Sequence, residues 1–148
     1  MKKIFVIAAA TFISLASFAN VDPITGKVLE SFRTEFAEAK NVQWKSLDDA
    51  GLFQATFNYR NTELSAFYNA EGDLVATARY ISKDNLPIMV AKEISNRYPD
   101  HIVRSVIEHI SNGSTTYHVT LYGEKSSLIV SASPSGELSV FKKVKNRL

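Results

Sequence analysis

Two stretches of the chain carry apolar residues four positions apart, the spacing of an amphipathic helix. The first stretch covers residues 27–40 with Val28, Phe32 and Phe36, and sixty-two positions later the second has Val90, Ile94 and Tyr98. Asp84 and Asn85 are candidate caps of the second helix, Pro87 suits its first turn, and Pro99 ends it. The pattern therefore predicts one helix early in each half of the chain.

After each predicted helix, apolar and polar residues alternate, which is typical of half-buried antiparallel strands. The predicted strands cover residues 42–46, 53–59, 64–69 and 74–81 in the first half, and 102–110, 116–122, 128–132 and 138–144 in the second. Gly72 and Gly136 lie 64 positions apart in matching polar turns, where a glycine suits positive φ. Trp44 is expected to pack in the core, between the first helix and the sheet.

The two halves repeat the same order of elements, which indicates a duplicated unit. We predict an α+β fold in which two tandem helix-plus-antiparallel-strand repeats form one sheet of about eight strands, with two helices on one face. Repeat one covers residues 27–82 and repeat two covers 84–148, within a single domain over 20–148.

The first nineteen residues have the three parts of a secretory signal peptide. Lys2 and Lys3 give a positive start, residues 4–15 form an apolar run, and Ser17-Phe18-Ala19 is a small-x-small cleavage site. The apolar run is shorter than the roughly 20 residues of a membrane span, although an uncleaved anchor is the alternative. We expect a periplasmic protein that keeps no stable membrane anchor after cleavage.

Composition excludes several chemistries. The chain has no cysteine, which removes disulfides, thiol catalysis and cysteine-ligated zinc. Its formal net charge of +2 comes from the leader, because the 17 Lys and Arg become 15 without Lys2 and Lys3 and then match 15 Asp and Glu. Without a basic excess, no nucleic-acid partner is expected.

Several short motifs carry a resemblance to a known family. They are Asn41-Val42-x-Trp44, Tyr68 with Gly72 and Leu74, Leu86-Pro87, and Tyr98-Pro99. With the signal peptide, they resemble the exported β-lactamase-inhibitor-like, PepSY-like proteins of Bacteroidetes over essentially the whole mature chain. The resemblance implies tandem helix-plus-sheet repeats and a role like that of inhibitor or peptidase-regulating domains. It implies no catalytic residues.

No catalytic, metal or cofactor site is predicted from the residues. The chain has neither a Gly-x-Ser-x-Gly elbow nor a glycine-rich phosphate loop. His101, His109 and His118 lack the spacing of a helical metal pair. A two-histidine site formed by His109 and His118 with Glu108 is the alternative to their being plain polar strand residues.

The sheet face away from the helices is the candidate binding surface, because strand side chains alternate between faces. The predicted protein-binding residues on this face are Phe67, Val75, Arg79, Tyr122, Ile129 and Phe141. Phe67, Tyr122 and Phe141 are the expected anchors, since aromatic residues dominate recognition surfaces. The alternative is that these residues only support cross-strand packing.

We therefore expect an exported, non-catalytic binding module that recognises a protein or peptide. Inhibition or regulation of an extracytoplasmic enzyme is one form that this function could take. The alternative function is a small-molecule or ion carrier that binds between the repeats. An enzyme is not expected, because the chain offers no nucleophile, metal set or cofactor loop.

Overall fold

The computed structural model describes residues 24–124 and 126–145, so the predicted signal peptide lies outside the described residues. Within these residues, each of two α-helices is followed by four β-strands as predicted, and the strands neighbour one another in chain order in an antiparallel sheet. The elements are α1 (Gly26–Glu35), β1 (Lys40–Leu47), β2 (Leu52–Tyr59), β3 (Thr62–Tyr68), β4 (Leu74–Ile81), α2 (Ile88–Arg97), β5 (Ile102–Ser111), β6 (Ser114–Tyr122), β7 (Ser126–Ala132) and β8 (Leu138–Lys145). The predicted α+β class and the eight strands are confirmed.

The chain divides into two compact units. The first ends at Thr77 and the second begins at Ala78, so the boundary falls within β4. In the part of the chain that the structure describes, each unit contains one α-helix of ten residues. Within the described residues, no helix has the length and apolarity needed to cross a membrane.

Helix α1 is shorter than predicted. Thr25 caps its start by accepting a hydrogen bond from the Val28 N–H, and the helix ends at Glu35, not at residue 40. The Phe36 N–H still bonds to the Phe32 carbonyl, but Phe36 itself has left helical geometry. Lys40 already pairs with Asn58 of β2, because sheet pairing there replaces the helix that propensity alone would continue.

Helix α2 ends where predicted but is capped differently. It spans Ile88–Arg97 with Pro87 at the N-cap. The expected caps Asp84 and Asn85 instead lie in a separate single turn of 3₁₀ helix, which the Ser82 hydroxyl caps through the Asp84 N–H. The assignment of Asp84 and Asn85 as α2 caps is therefore wrong.

The core of the first unit is aromatic. Phe32 of α1 lies edge-on to Trp44 and Phe57, with ring centroids 5.1 Å and 4.9 Å apart. The Tyr68 hydroxyl, 2.6 Å from Glu35 Oε2, donates a hydrogen bond that ties β3 to the end of α1. The expectation that Trp44 packs between the first helix and the sheet is confirmed.

The core of the second unit is mainly aliphatic. Val90 and Ile94 of α2 pack on buried side chains of β5, β6 and β7. These strand residues are Val106, Tyr117, Val119, Leu121, Leu128, Val130 and Ala132. These buried residues show which side of β5, β6 and β7 faces α2.

Both predicted turn glycines have a left-handed backbone. Gly72 and Gly136 each have φ near 92°. A Cβ at Gly72 would lie 3.1 Å from the Lys27 carbonyl, and one at Gly136 would lie 3.0 Å from the Met89 carbonyl oxygen. In each unit the last hairpin therefore packs against the start of that unit's helix, at a contact too close for a side chain.

Candidate binding surface on the second unit

The register of β5 to β8 defines a face of the second unit that points away from α2. Val119 and Val130 pair with each other and belong to the core under the helix. Because side chains alternate along a strand, the neighbouring positions project to the other side. We call this other side the open face, and its strand residues include Ser105, Ile107, His118, Thr120, Tyr122, Ile129 and Ser131.

Three of the predicted contact residues come together on the open face. Ile129 pairs with Thr120, two residues from Tyr122 on the same strand. The β7–β8 register shifts at Ile129/Val130, and Phe141 is the extra residue, with its ring 6.0 Å from that of His118. The exposed fraction is 52% for Tyr122 and 37% for Phe141, and Ile129 is half-buried.

Ile102 extends this apolar cluster, although the sequence prediction did not include it. Ile102 is the register partner of Tyr122 and is 64% exposed. Strict alternation would place it on the same side as Val106, under α2. A register irregularity between Val103 and Ser105 changes the phase, so Ile102 shares a face with Tyr122 instead.

The first unit offers less of the predicted surface. Phe67 is only 6% exposed, so its ring is buried and does not present the surface expected of an anchor. Its neighbour on the same side, Ser65, is 1% exposed and bonds to Gln54 Nε2 at 3.1 Å and to the Thr56 hydroxyl at 3.2 Å. Here the cross-strand packing alternative describes Phe67 better than a contact role does.

Val75 and Arg79 also lie outside the cluster. Val75 is half-buried in the first unit. Arg79 Nε lies 2.6 Å from Glu108 Oε2, and Glu108 is the register partner of Tyr117 in the core beneath α2. Arg79 therefore reaches the helix side of the second unit, in contrast to its predicted place on the free face.

This ion pair also affects Tyr117. Burial raises the pKa of Tyr117, the charge of Glu108 and a hydrogen bond to it add to this shift, and Arg79 partly opposes it. The Tyr117 hydroxyl therefore stays protonated beside the ion pair of Arg79 and Glu108. Glu108 is engaged on that side and is not available to the histidines of the open face.

Two histidines lie next to each other on the open face. The rings of His109 and His118 have centroids 6.0 Å apart, and His118 Nδ1 lies 3.0 Å from the Ser131 hydroxyl. Burial lowers the pKa of His109, and burial followed by the nearby His109 lowers the pKa of His118. Both imidazoles are therefore neutral at pH 7.

Two of the hollows lined by described residues of the first unit lie beside β1. One, of about 390 Å³, is an apolar groove between α1 and β1 whose walls include Phe32, Phe36, Val42 and Trp44. The other, of about 590 Å³, is polar and is lined by Glu38, Lys40, Asn41, Asn58, Arg60 and Asn61. Neither contains any of the six predicted contact residues.

No set of three metal-binding side chains occurs within residues 24–124 and 126–145. The hydrogen bond between His118 and Ser131 could not be predicted from the sequence, because it depends on the register between β6 and β7. The residues that do converge on the open face are a rigid apolar cluster and two neutral imidazoles.

Comparison with solved structures gives the same fold. A BLIP-like protein from Bacteroides fragilis is 19% identical with a TM-score of 0.72, over 86% of this chain and 92% of that one. A DUF2874 family protein from Bacteroides uniformis is 15% identical with a TM-score of 0.71, over 82% and 88%. A protein of Bacteroides eggerthii, provisionally named as periplasmic, is 14% identical with a TM-score of 0.72, over 84% and 90%.

Comparison at the level of sequence finds no match for this chain. No family model matches the chain, and no curated protein matches it. The expected likeness to β-lactamase-inhibitor-like proteins is therefore confirmed by structure, at identities that establish the architecture alone. The chain has the fold of these BLIP-like and DUF2874 proteins of Bacteroides.

Proposed function

We propose that the protein is an exported, non-catalytic binding module that recognises a protein or peptide through the open face of its second unit. The observation that carries this proposal is the convergence of Ile102, Tyr122, Ile129 and Phe141 on that face. Large apolar side chains that cluster at a surface are typical of sites that bind another protein.

The cluster is also well suited to binding at low entropic cost. Its residues are held by the antiparallel pairing of β5 to β8, so the backbone has little freedom left to lose on association. Tyr122 and Phe141 add large rigid rings with few rotatable bonds, the kind of side chain that dominates binding energy. Thr120 and Lys142, the register partners of Ile129, supply polar groups beside it.

The kind of partner that we propose is an extracytoplasmic enzyme, which the module would inhibit or regulate by covering its surface. The Bacteroides fragilis neighbour is described as BLIP-like, which favours this interpretation. The provisional periplasmic name of the Bacteroides eggerthii neighbour supports export to the same compartment.

We further propose that the two units are tandem copies. In the described residues, a ten-residue helix is followed by four strands in each half of the chain. Each half also has a glycine turn that packs against the start of its helix. The equivalent glycines are separated by 64 residues, and the buried Val28 and Val90 by 62. This regular offset is what duplication of one unit would leave.

Capture of partners from an envelope extract tests the binding proposal. The purified protein serves as bait beside the double variant Tyr122→Ala/Phe141→Ala and the control Ile88→Ala. Ile88 is 82% exposed on α2, so its removal takes away a comparable apolar side chain from outside the open face.

A partner that uses the open face is expected to bind the double variant at least tenfold more weakly, since anchor truncations cost about 1–2 kcal/mol or more each. The Ile88→Ala variant is expected to retain it. If both variants are folded and the double variant keeps every partner at unchanged affinity, the open face is not the binding surface.

A further inference from the structure

We propose that His109 and His118 form a two-imidazole site for a divalent transition metal of the Zn²⁺, Ni²⁺ or Cu²⁺ class. The two residues lie on adjacent strands, β5 and β6, on the open face. They are diagonal neighbours, because the register partner of His118 is Ile107, two residues from His109.

The ring separation is compatible with one shared metal ion. The centroids are 6.0 Å apart and the ring planes are inclined at 56°. A metal bound at about 2.0–2.1 Å by one nitrogen of each ring places the centroids about 5–6.5 Å apart, depending on the angle at the metal. The observed centroid separation falls within this range, so the two strands hold the rings at a spacing that one ion can bridge.

His118 is already oriented by a second residue. Its Nδ1 lies 3.0 Å from the Ser131 hydroxyl. When Nδ1 donates to Ser131 Oγ, the lone pair of His118 Nε2 is free to bind a metal. Fixing the tautomer through the other ring nitrogen is how proteins usually prepare a histidine ligand.

His109 has a nitrogen that lacks a partner. Its Nε2 is buried and makes no hydrogen bond to any residue in the described part of the chain. A buried polar atom without a partner destabilises the folded state, and a metal ion bound there would remove that cost. Both ring nitrogens of His101 are also buried without a partner, so His109 is the candidate ligand because a second imidazole, that of His118, lies beside it.

The protonation state and the surroundings also suit a metal. Ligand histidines must be neutral, and burial keeps both of these so at pH 7. Phe141 shields His118 on one side, while the hydroxyl residue Thr116 is the register partner of His109. Glu108 and Arg79 pair with each other on the helix side, and Lys142 on β8 is exposed.

The ligand chemistry selects the class of metal. Imidazole nitrogen suits Zn²⁺, Ni²⁺ and Cu²⁺, whereas Mg²⁺ and Ca²⁺ require oxygen ligands. With two protein ligands, the remaining coordination positions are open to water or to a group from a binding partner. Affinity is expected to rise from Ni²⁺ to Cu²⁺, following the general order for nitrogen sites.

Calorimetric titration tests the site directly. The purified protein, prepared without a histidine tag, is titrated with Cu²⁺, Ni²⁺ and Zn²⁺ at pH 7.5, beside His109→Gln, His118→Gln and the control His101→Gln. We expect one ion per chain, at least a tenfold loss of affinity in each of the first two variants, and less than a twofold change in His101→Gln. Ser131→Ala is expected to weaken binding by about tenfold, because it releases the His118 ring.

Nuclear magnetic resonance of the unmodified protein keeps the test independent of how the variants fold. Substoichiometric Zn²⁺ should shift the ring signals of His109 and His118 and leave those of His101 in place. Equal binding by the protein and by the two histidine variants, or ring shifts at His101 alone, would overturn the proposal. Either result would leave the partner-binding proposal untouched, since that rests on the apolar residues.

Discussion

Single residues account for several contacts on which each unit depends. Gly72 and Gly136 combine a left-handed backbone with a close approach to a helix start. The Tyr68 hydroxyl lies against Glu35, where burial, then the hydrogen bond and the negative charge of Glu35, raise the pKa of Tyr68 far above its usual range. The same cause acts in the opposite direction on His109 and His118, because burial disfavours their charged form and so lowers their pKa values.

Gly136→Ala is expected to lower the free energy of unfolding more than Gly113→Ala does. Both glycines have positive φ, which costs a substituted residue about 1–3 kcal/mol. A Cβ at Gly113 meets nothing within 4 Å, whereas at Gly136 it lies 3.0 Å from the Met89 carbonyl oxygen. Urea unfolding of the two variants measures the difference, and equal losses would show that the helix contact contributes nothing.

Acidification from pH 7.5 to 5.5 is expected to lower the urea midpoint. The pKa values of His109 and His118 are lowered in the folded state, so the unfolded chain binds more protons once the pH falls below about 6.5. Their contribution to stability is therefore complete above that pH and is lost below it. The double variant His109→Gln/His118→Gln should show a smaller drop, and an unchanged drop would contradict this assignment.

Helices and strands show that the two units build their cores from different side chains. Phe32 of α1 packs on Trp44, Phe57 and Tyr68, whereas Val90 and Ile94 of α2 pack mainly on aliphatic residues. Similar elements can hold different cores because total volume and patterning matter more than residue identity. The aromatic core also gives the first unit a spectroscopic probe, since Trp44 is the single tryptophan.

Phe32→Ala is expected to destabilise the protein by about 3–5 kcal/mol, the usual cost of emptying an aromatic core position. The control Arg33→Ala changes an exposed neighbour on the same helix and should stay within about 0.5 kcal/mol. Trp44 fluorescence follows both unfolding transitions, because its ring lies 5.1 Å from that of Phe32. A loss below about 1 kcal/mol for Phe32→Ala would mean that α1 is not anchored as described.

Periodicity alone predicted all eight strands and both helices, but it did not predict every side-chain direction. Alternation placed Tyr122 and Ile129 on one face correctly, because β6 and β7 pair without irregularity, and Phe141 shares that face although the β7–β8 register shifts beside it. It missed Ile102, since the irregularity in β5 leaves no trace in the residue pattern. Burial of Phe67 and the bond from Arg79 to Glu108 likewise depend on what packs nearby, and a single strand does not encode that.

The chain as a whole combines a predicted export signal, the α+β fold of BLIP-like Bacteroides proteins and an apolar cluster on one face of its second unit. Its Lys and Arg balance its Asp and Glu once the leader is removed, so general electrostatic attraction is not expected to select the partner. Selection would instead depend on the shape and apolar contacts of the open face.

Export is tested by the mass of the protein recovered from the periplasm of a Gram-negative host. We expect the first residue to be Asn20, because Ser17-Phe18-Ala19 fits a signal-peptidase site. A mass that includes residues 1–19 would mean that the leader is retained as an anchor.

Amide chemical-shift mapping with a captured partner identifies the binding surface itself. The ¹⁵N-labelled protein is titrated with the unlabelled partner, and the shifts are assigned along β5 to β8 and along both helices. We predict that the largest changes fall at Ile102, Tyr122, Ile129 and Phe141, with the α2 residues around Ile88 unaffected. Chemical-shift changes concentrated on α2 or on the α1–β1 groove, with no changes on the open face, would contradict the proposed mode of recognition.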